Sequence, residues 1–145
     1  MEPAVVTAPV LREIPMGLPA DSSAAASARI QAQTLLTVLG RSGDQNLAVD
    51  VLHTLVDNAV QHALIRAAAE QRFGTCLSIT ETRELLIDVT DPNPTFPQFD
   101  KAITGEVGSG LWGIVCQGAT LTWFARADFA GKTVRAVLRP RQVGL

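Results

Sequence analysis

Residues 47 to 63 restrict this chain more than any other stretch. Leu47, Val51, Leu52, Leu55, Val56, Ala59 and Ala63 recur at three- and four-residue steps, the spacing that lines one face of an α-helix. Asp50, Thr54, Asp57, Asn58 and Gln61 fall on the opposite face. That stripe has almost none of the Lys, Arg or Glu that ordinarily dress a solvated helix. Short carboxylate, amide and hydroxyl groups suit a Mg²⁺ ion or its waters, because hard cations take oxygen ligands. A plain solvated face is the alternative, and spacing alone does not choose between the two.

Around this helix the pattern alternates helix and strand signals. Met1 to Pro15 carries three of the eight prolines and no period; it reads as a flexible tail or an added edge strand, with the domain proper over 16–145. Asp21-Ser-Ser supplies N-cap residues for a helix over Ala24 to Leu39, whose Ala-rich composition favours it. Gly40 and Gly43 end that helix. The patterned helix should run from about Gln45 to Gln71 and stop at Gly74. Thr75 to Glu81 and Glu84 to Thr90 read as strands around a polar turn. Asn93 to Gly108 should be irregular, Leu111 to Gly118 a short helix. Leu121 to Ala127 and Lys132 to Leu138 should close a hairpin. Helices followed by paired strands imply an α+β two-layer sandwich, a mixed and mostly antiparallel sheet covered by helices on one face.

Length and charge narrow the function classes. At 145 residues there is room for one core. A formal net charge of −2 gives no electrostatic case for nucleic acid, and no basic run points to an anionic membrane. Apolar runs are too short for a transmembrane helix. The Met-Glu-Pro start lacks the basic segment and apolar core of a secretory signal. Cys76 and Cys116 show no zinc spacing and fall in apolar patterns, so buried free thiols are expected. A reducing cytoplasm fits.

Four motifs stand in order along this frame: Leu55-Val56-Asp57-Asn58-Ala59-Val60-Gln61-His62, then Val89-Thr90-Asp91-Pro92-Asn93-Pro94, then Gly108-Ser109-Gly110-Leu111, then Gly131-Lys132-Thr133-Val134. Together they resemble the ATP-binding domain shared by histidine kinases, gyrase and certain heat-shock chaperones. Within that superfamily they are similar to the small anti-sigma-factor serine kinases of bacterial partner-switching systems. The resemblance runs from about Met16 to Pro140.

It implies ATP and Mg²⁺ as ligands and gives the motif residues roles. Asn58 would offer its carbonyl oxygen to a metal that bridges the phosphates; otherwise it is an exposed helix amide. Asp91 ends a β-branched run, and an ionised carboxylate only accepts hydrogen bonds. It would take the exocyclic amine of adenine, or cap the Pro92 turn, or both. Gly108 and Gly110 would let backbone N–H groups approach phosphate oxygens at a helix start. Ser109 would donate a hydroxyl, and Leu111 completes the glycine box. Asn93 lies in the window where other superfamily members have a glycine, and Thr133 matches a place near the adenine pocket. Lys101 and His62 read more simply as a solvated loop lysine and a structural histidine.

Thr54 departs from the pattern. The family has a Glu there, one turn before the Asn, as the base for the attacking hydroxyl or water. A threonine hydroxyl cannot serve as a base near neutrality. The expected function is therefore an ATP-binding regulatory protein that controls a sigma factor or an anti-sigma-factor antagonist by nucleotide-dependent binding, with weak or no kinase activity. An active serine kinase acting on such an antagonist, with His53, Asp57 or the substrate as base, is the alternative. A partner protein with an emptied pocket is a third. No nucleic acid or membrane partner is expected, and a homodimer is compatible.

Overall fold

The apolar face of the patterned helix is spent on a five-stranded sheet. The structure is a computed structural model and describes residues 7–40, 45–63, 73–108, 110–128 and 130–140. Helix α1 (Ala24–Leu39) and helix α2 (Gln45–His62) pack on each other and on the sheet. Helix α2 buries Ala48, Val49, Val51, Leu52, Leu55, Val56 and Ala59. Its neighbour buries a run of alanines, Ala24, Ala25, Ala28 and Ala32, which lets the two helices approach closely, with Leu36 and Leu39 filling the far end. Asp21 organises the start of α1 by accepting the Ser23 N–H at 2.8 Å. Gly40 ends it, its N–H returning to the Leu36 and Thr37 carbonyls.

The strands are β1 (Val10–Gly17), β2 (Gly74–Thr80), β3 (Leu85–Asp91), β4 (Thr120–Ala125) and β5 (Lys132–Leu138). They lie in the order β1-β2-β3-β5-β4, and every neighbouring pair is antiparallel. The expected α+β sandwich is present, with a purely antiparallel sheet where a mixed one was expected. Residues 10–15, read as a tail or an edge strand, are the first six residues of β1, which pairs with β2. Residues 64–71, the expected extension of α2, lie outside the described residues.

The two-residue alternation of a strand decides what faces the helices. Leu77 and Ile79 of β2, Leu85, Ile87 and Val89 of β3, and Val134, Ala136 and Leu138 of β5 all join the helix-side core. Asp91 and Lys132 share the parity of that face and stand opposite each other in register. The other face carries different pairs: Arg135 donates to both Asp88 oxygens at 2.7 and 2.9 Å, and the Thr90 and Thr133 hydroxyls bond at 3.0 Å.

Two short helices bridge the sheet end to α2. Helix α3 (Phe99–Ile103) lies inside the stretch expected to be irregular. Its anchor is aromatic: buried Phe99 meets the Phe96 ring edge-on at 5.2 Å, and Phe96 also meets Trp123 at 6.3 Å. Helix α4 (Gly110–Cys116) buries Leu111 and Ile114 against α2. Cys76 is half-buried as a strand residue, but Cys116, at the end of α4, is exposed, contrary to expectation. Among the described residues no helix is long and apolar enough to cross a membrane.

Candidate functional site

Between α2, the β3–α3 loop and the segment before α4 lies a cleft in two adjoining halves. One half, about 360 Å³, is lined by Asn58, His62, Ala63, Asn93, Thr95 to Gln98, Ala102, Val107 and Lys132. The other, about 320 Å³, is lined by Thr54, Asp57, Asn58, Gln61, His62, Ala102, Val107, Gly108, Gly110 and Leu111. Asn58 belongs to both. Four residues of the polar stripe of α2, Thr54, Asp57, Asn58 and Gln61, thus line the cleft, whereas Asp50 is exposed and pairs with Arg29.

The second half brings together Thr54, Asn58, Gly108, Gly110 and Leu111, which the motifs had singled out. Residue 54 sits one turn before Asn58 on the same wall, and its Cγ2 lies 3.7 Å from where a Cβ on Gly110 would stand. Gly108 has φ +71°, a left-handed conformation that glycine adopts without strain. Ser109 lies outside the described residues. The Asp57 carboxylate accepts from the Gln61 amide at 2.8 Å. Asn58 and Asp57 offer oxygen donors of the kind Mg²⁺ takes. Among the described residues no group of three or more His, Cys, Asp or Glu is placed to hold a metal ion.

The first half differs from what the motifs imply. Asp91 is 1% exposed and does not line the cleft. Lys132 lines it instead. Its ammonium donates to Asp91 Oδ1 at 3.0 Å and to the Asn93 carbonyl at 3.2 Å, and lies 5.3 Å from the Phe96 ring centroid. The same Asp91 oxygen accepts the Asn93 N–H at 2.9 Å, the turn-capping role considered from sequence. Burial pushes the Asp91 carboxyl above the ordinary carboxylate range, and the hydrogen bond from Lys132 pulls against it. An adenine amine placed against Asp91 Oδ1 would thus meet an oxygen already engaged. As these side chains stand, Asp91 Oδ1 is shared by the Lys132 ammonium and the Asn93 N–H.

Two further placements concern the remaining motif residues. Asn93 lines the cleft, with its side-chain oxygen accepting the Thr95 N–H at 3.1 Å. Thr133, expected near the base pocket, is on the opposite face of the sheet, bonded to Thr90. The cleft residue of that motif is Lys132. The signal was present in the sequence, since Val134, Ala136 and Leu138 set the core parity of β5 and residue 132 shares it.

This arrangement of helices and antiparallel sheet is shared with solved structures. The histidine kinase domain of the blue-light activated histidine kinase from Erythrobacter litoralis EL346 aligns with a TM-score of 0.53 at 19% identity, over 79% of this chain and 63% of that one. The structure of the RsbU and RsbW domains of Rv1364c from Mycobacterium tuberculosis gives 0.61 at 18% identity, over 92% of this chain and 35% of that one. This chain has the histidine kinase-like ATPase fold. It spans less than two thirds of the length of either chain. No family profile and no curated protein matches it.

In this fold the segment after α3 is the least anchored part of the cleft. Residues 104–108 are all exposed, whereas Phe96 and Phe99 tie residues 96–103 to the core. Backbone amides at 104–108 should therefore exchange with deuterium faster than those of α3 and slow when Mg-ATP is added. Mass-spectrometric exchange with and without nucleotide measures this, and unchanged protection would show that nucleotide does not order the segment.

Proposed function

We propose that this chain is a nucleotide-binding regulatory module that binds ATP with Mg²⁺ and controls a sigma factor or an anti-sigma-factor antagonist through nucleotide-dependent binding, with little phosphoryl transfer of its own. The observation that carries the ligand half of the reading is the continuity of the cleft through Asn58. One amide is common to a base-sized half and a half walled by Gly108 and Gly110. Asn58 would hold the metal, and the backbone around the two glycines would receive the phosphates. When bound, the metal would neutralise phosphate charge.

The partner half rests on the sequence motifs and on the likeness to a chain that includes an RsbW domain. Weak turnover follows from residue 54, which lines the phosphate half with a hydroxyl in place of a carboxylate. The active-kinase alternative has one observation in its favour: Asp57 lines that same half.

Calorimetric titration with Mg-ATP and Mg-ADP tests the ligand assignment. Asn58→Ala should weaken Mg-ATP binding by about tenfold, since a positioned oxygen ligand is lost from the metal. The helix should be unaffected, alanine being the better helix former. Wild type and variant binding equally well would overturn the role of Asn58 and the cleft assignment with it.

A further inference from the structure

The floor of the base half is already occupied by part of the chain. Lys132 and Asp91 are a cross-strand pair on the helix-facing side of β5 and β3, with side chains 5% and 2% exposed. A lysine ammonium has three protons and no acceptor capacity. Here one proton is on Asp91 and one on the Asn93 carbonyl, while the ring of Phe96 lies on the cation within cation–π range. Lys132, Phe96 and Asn93 line the larger cleft half and Asp91 does not, so Lys132 rather than Asp91 meets any occupant.

We infer that Lys132 is an internal competitor for the base site: its ammonium takes the place on Asp91 that the exocyclic amine of a 6-aminopurine would take, and so sets both the affinity and the base selectivity of the cleft. This rests on the nucleotide-binding reading and adds a specificity-determining residue to it. The two donors are alike in chemistry, each an N–H directed at a carboxylate, but the ammonium carries a full charge and is tethered to the adjacent strand. A charge-assisted bond in a buried place is the stronger of the two. An amine-bearing base therefore enters only as Lys132 leaves Asp91, and the fraction of molecules in the open state scales the apparent affinity. With Lys132 in place the base half is lined, among the described residues, by no carboxylate with which to prefer adenine over a 6-oxopurine, whose oxygen cannot donate.

Titration of Mg-ATP and Mg-ITP into wild type and Lys132→Ala tests this. Wild type should bind the two nucleotides with comparable affinity. In Lys132→Ala the freed carboxylate should tighten Mg-ATP by about tenfold, as expected if roughly nine-tenths of the molecules are closed, and leave Mg-ITP nearly unchanged. The gain should vanish in Lys132→Ala/Asp91→Asn. Mg-ATP binding by Lys132→Ala alone would be the extreme form of the same result. A wild type that already prefers Mg-ATP tenfold or more overturns the inference while leaving nucleotide binding intact, and this arm does not depend on any variant folding. Equal gains for both nucleotides in the variant overturn it too, since loss of bulk would then explain the change. Failure of every form to bind either nucleotide removes the nucleotide reading itself.

Discussion

Gly131→Ala should cost the fold on the order of 3 kcal/mol, the upper part of the range for overpacking a filled interior. A Cβ on Gly131 would stand 2.1 Å from the Asp91 carbonyl oxygen and 3.4 Å from the Pro92 Cα. Both obstacles are backbone, so no side chain can swing away. The chain crosses here for a reason: Asp91 is the last residue of β3, Lys132 the first of β5, and the ladder pairs them directly. Separating the backbones by an ångström or more would open that end of the ladder and pull Lys132 from Asp91. A buried charge parted from its partner is costly in its own right. The Gly131 carbonyl also receives the Arg126 N–H at 2.9 Å, which closes the β4–β5 hairpin. Against a total stability of about 5–15 kcal/mol this is a large fraction. Urea denaturation followed by circular dichroism measures it. Gly113→Ala is the control, because a Cβ there meets nothing within 4 Å and alanine favours the helix. If both variants unfold at the wild-type midpoint, the close approach at Gly131 is absent in solution.

Residues 131 to 133 also show where sequence reasoning stops. Periodicity located α2 and its buried face, because seven apolar residues at helical spacing leave one arrangement that covers them. It located β5 to the residue, Lys132 to Leu138. What periodicity cannot supply is which strand lies beside which, and Asp91 facing Lys132 is a fact of β3–β5 register. A family motif pointed to Thr133, yet a single residue of parity sends it to the other face. Helix α3 was hidden for another reason. Pro92, Pro94 and Pro97 punctuate the segment, and only the tertiary contact of Phe96 with Phe99 and Trp123 turns it into ordered structure. In the cleft, Asn58, Gly108 and Gly110 were legible because each residue type has few uses at its position. The capture of Asp91 was not, since a lysine beside a threonine in a strand reads as an ordinary edge residue until its partner is known.

Thr54→Glu should raise nucleotide turnover by about a hundredfold, the low end of what a positioned general base contributes. Position 54 is on the cleft wall, shared with Asn58, Gly108 and Gly110, so a carboxylate introduced there would face the phosphate half. Its entry should be sterically easy. Thr54 is half-buried rather than packed in the core, and glutamate has the higher helix propensity. The base would act on the hydroxyl or water that attacks the terminal phosphoryl group, accepting its proton as the new bond to phosphorus forms and the bond to the bridging oxygen breaks, with ADP as the leaving group. Positioning and charge neutralisation carry most of such a reaction, so wild type should retain a slow background rate. Asp57 is the rival, since it lines the same half, although the Gln61 amide already engages its carboxylate. Release of labelled phosphate by wild type, Thr54→Glu and Asp57→Asn separates the two. A silent wild type awakened by Thr54→Glu assigns the missing base to residue 54. A wild type that turns over well, is slowed by Asp57→Asn and gains nothing from Thr54→Glu transfers the role to Asp57 and makes the protein an active enzyme. Binding gives an independent check, because a base that acts only in the transition state should leave Mg-ATP affinity close to wild type while the rate rises.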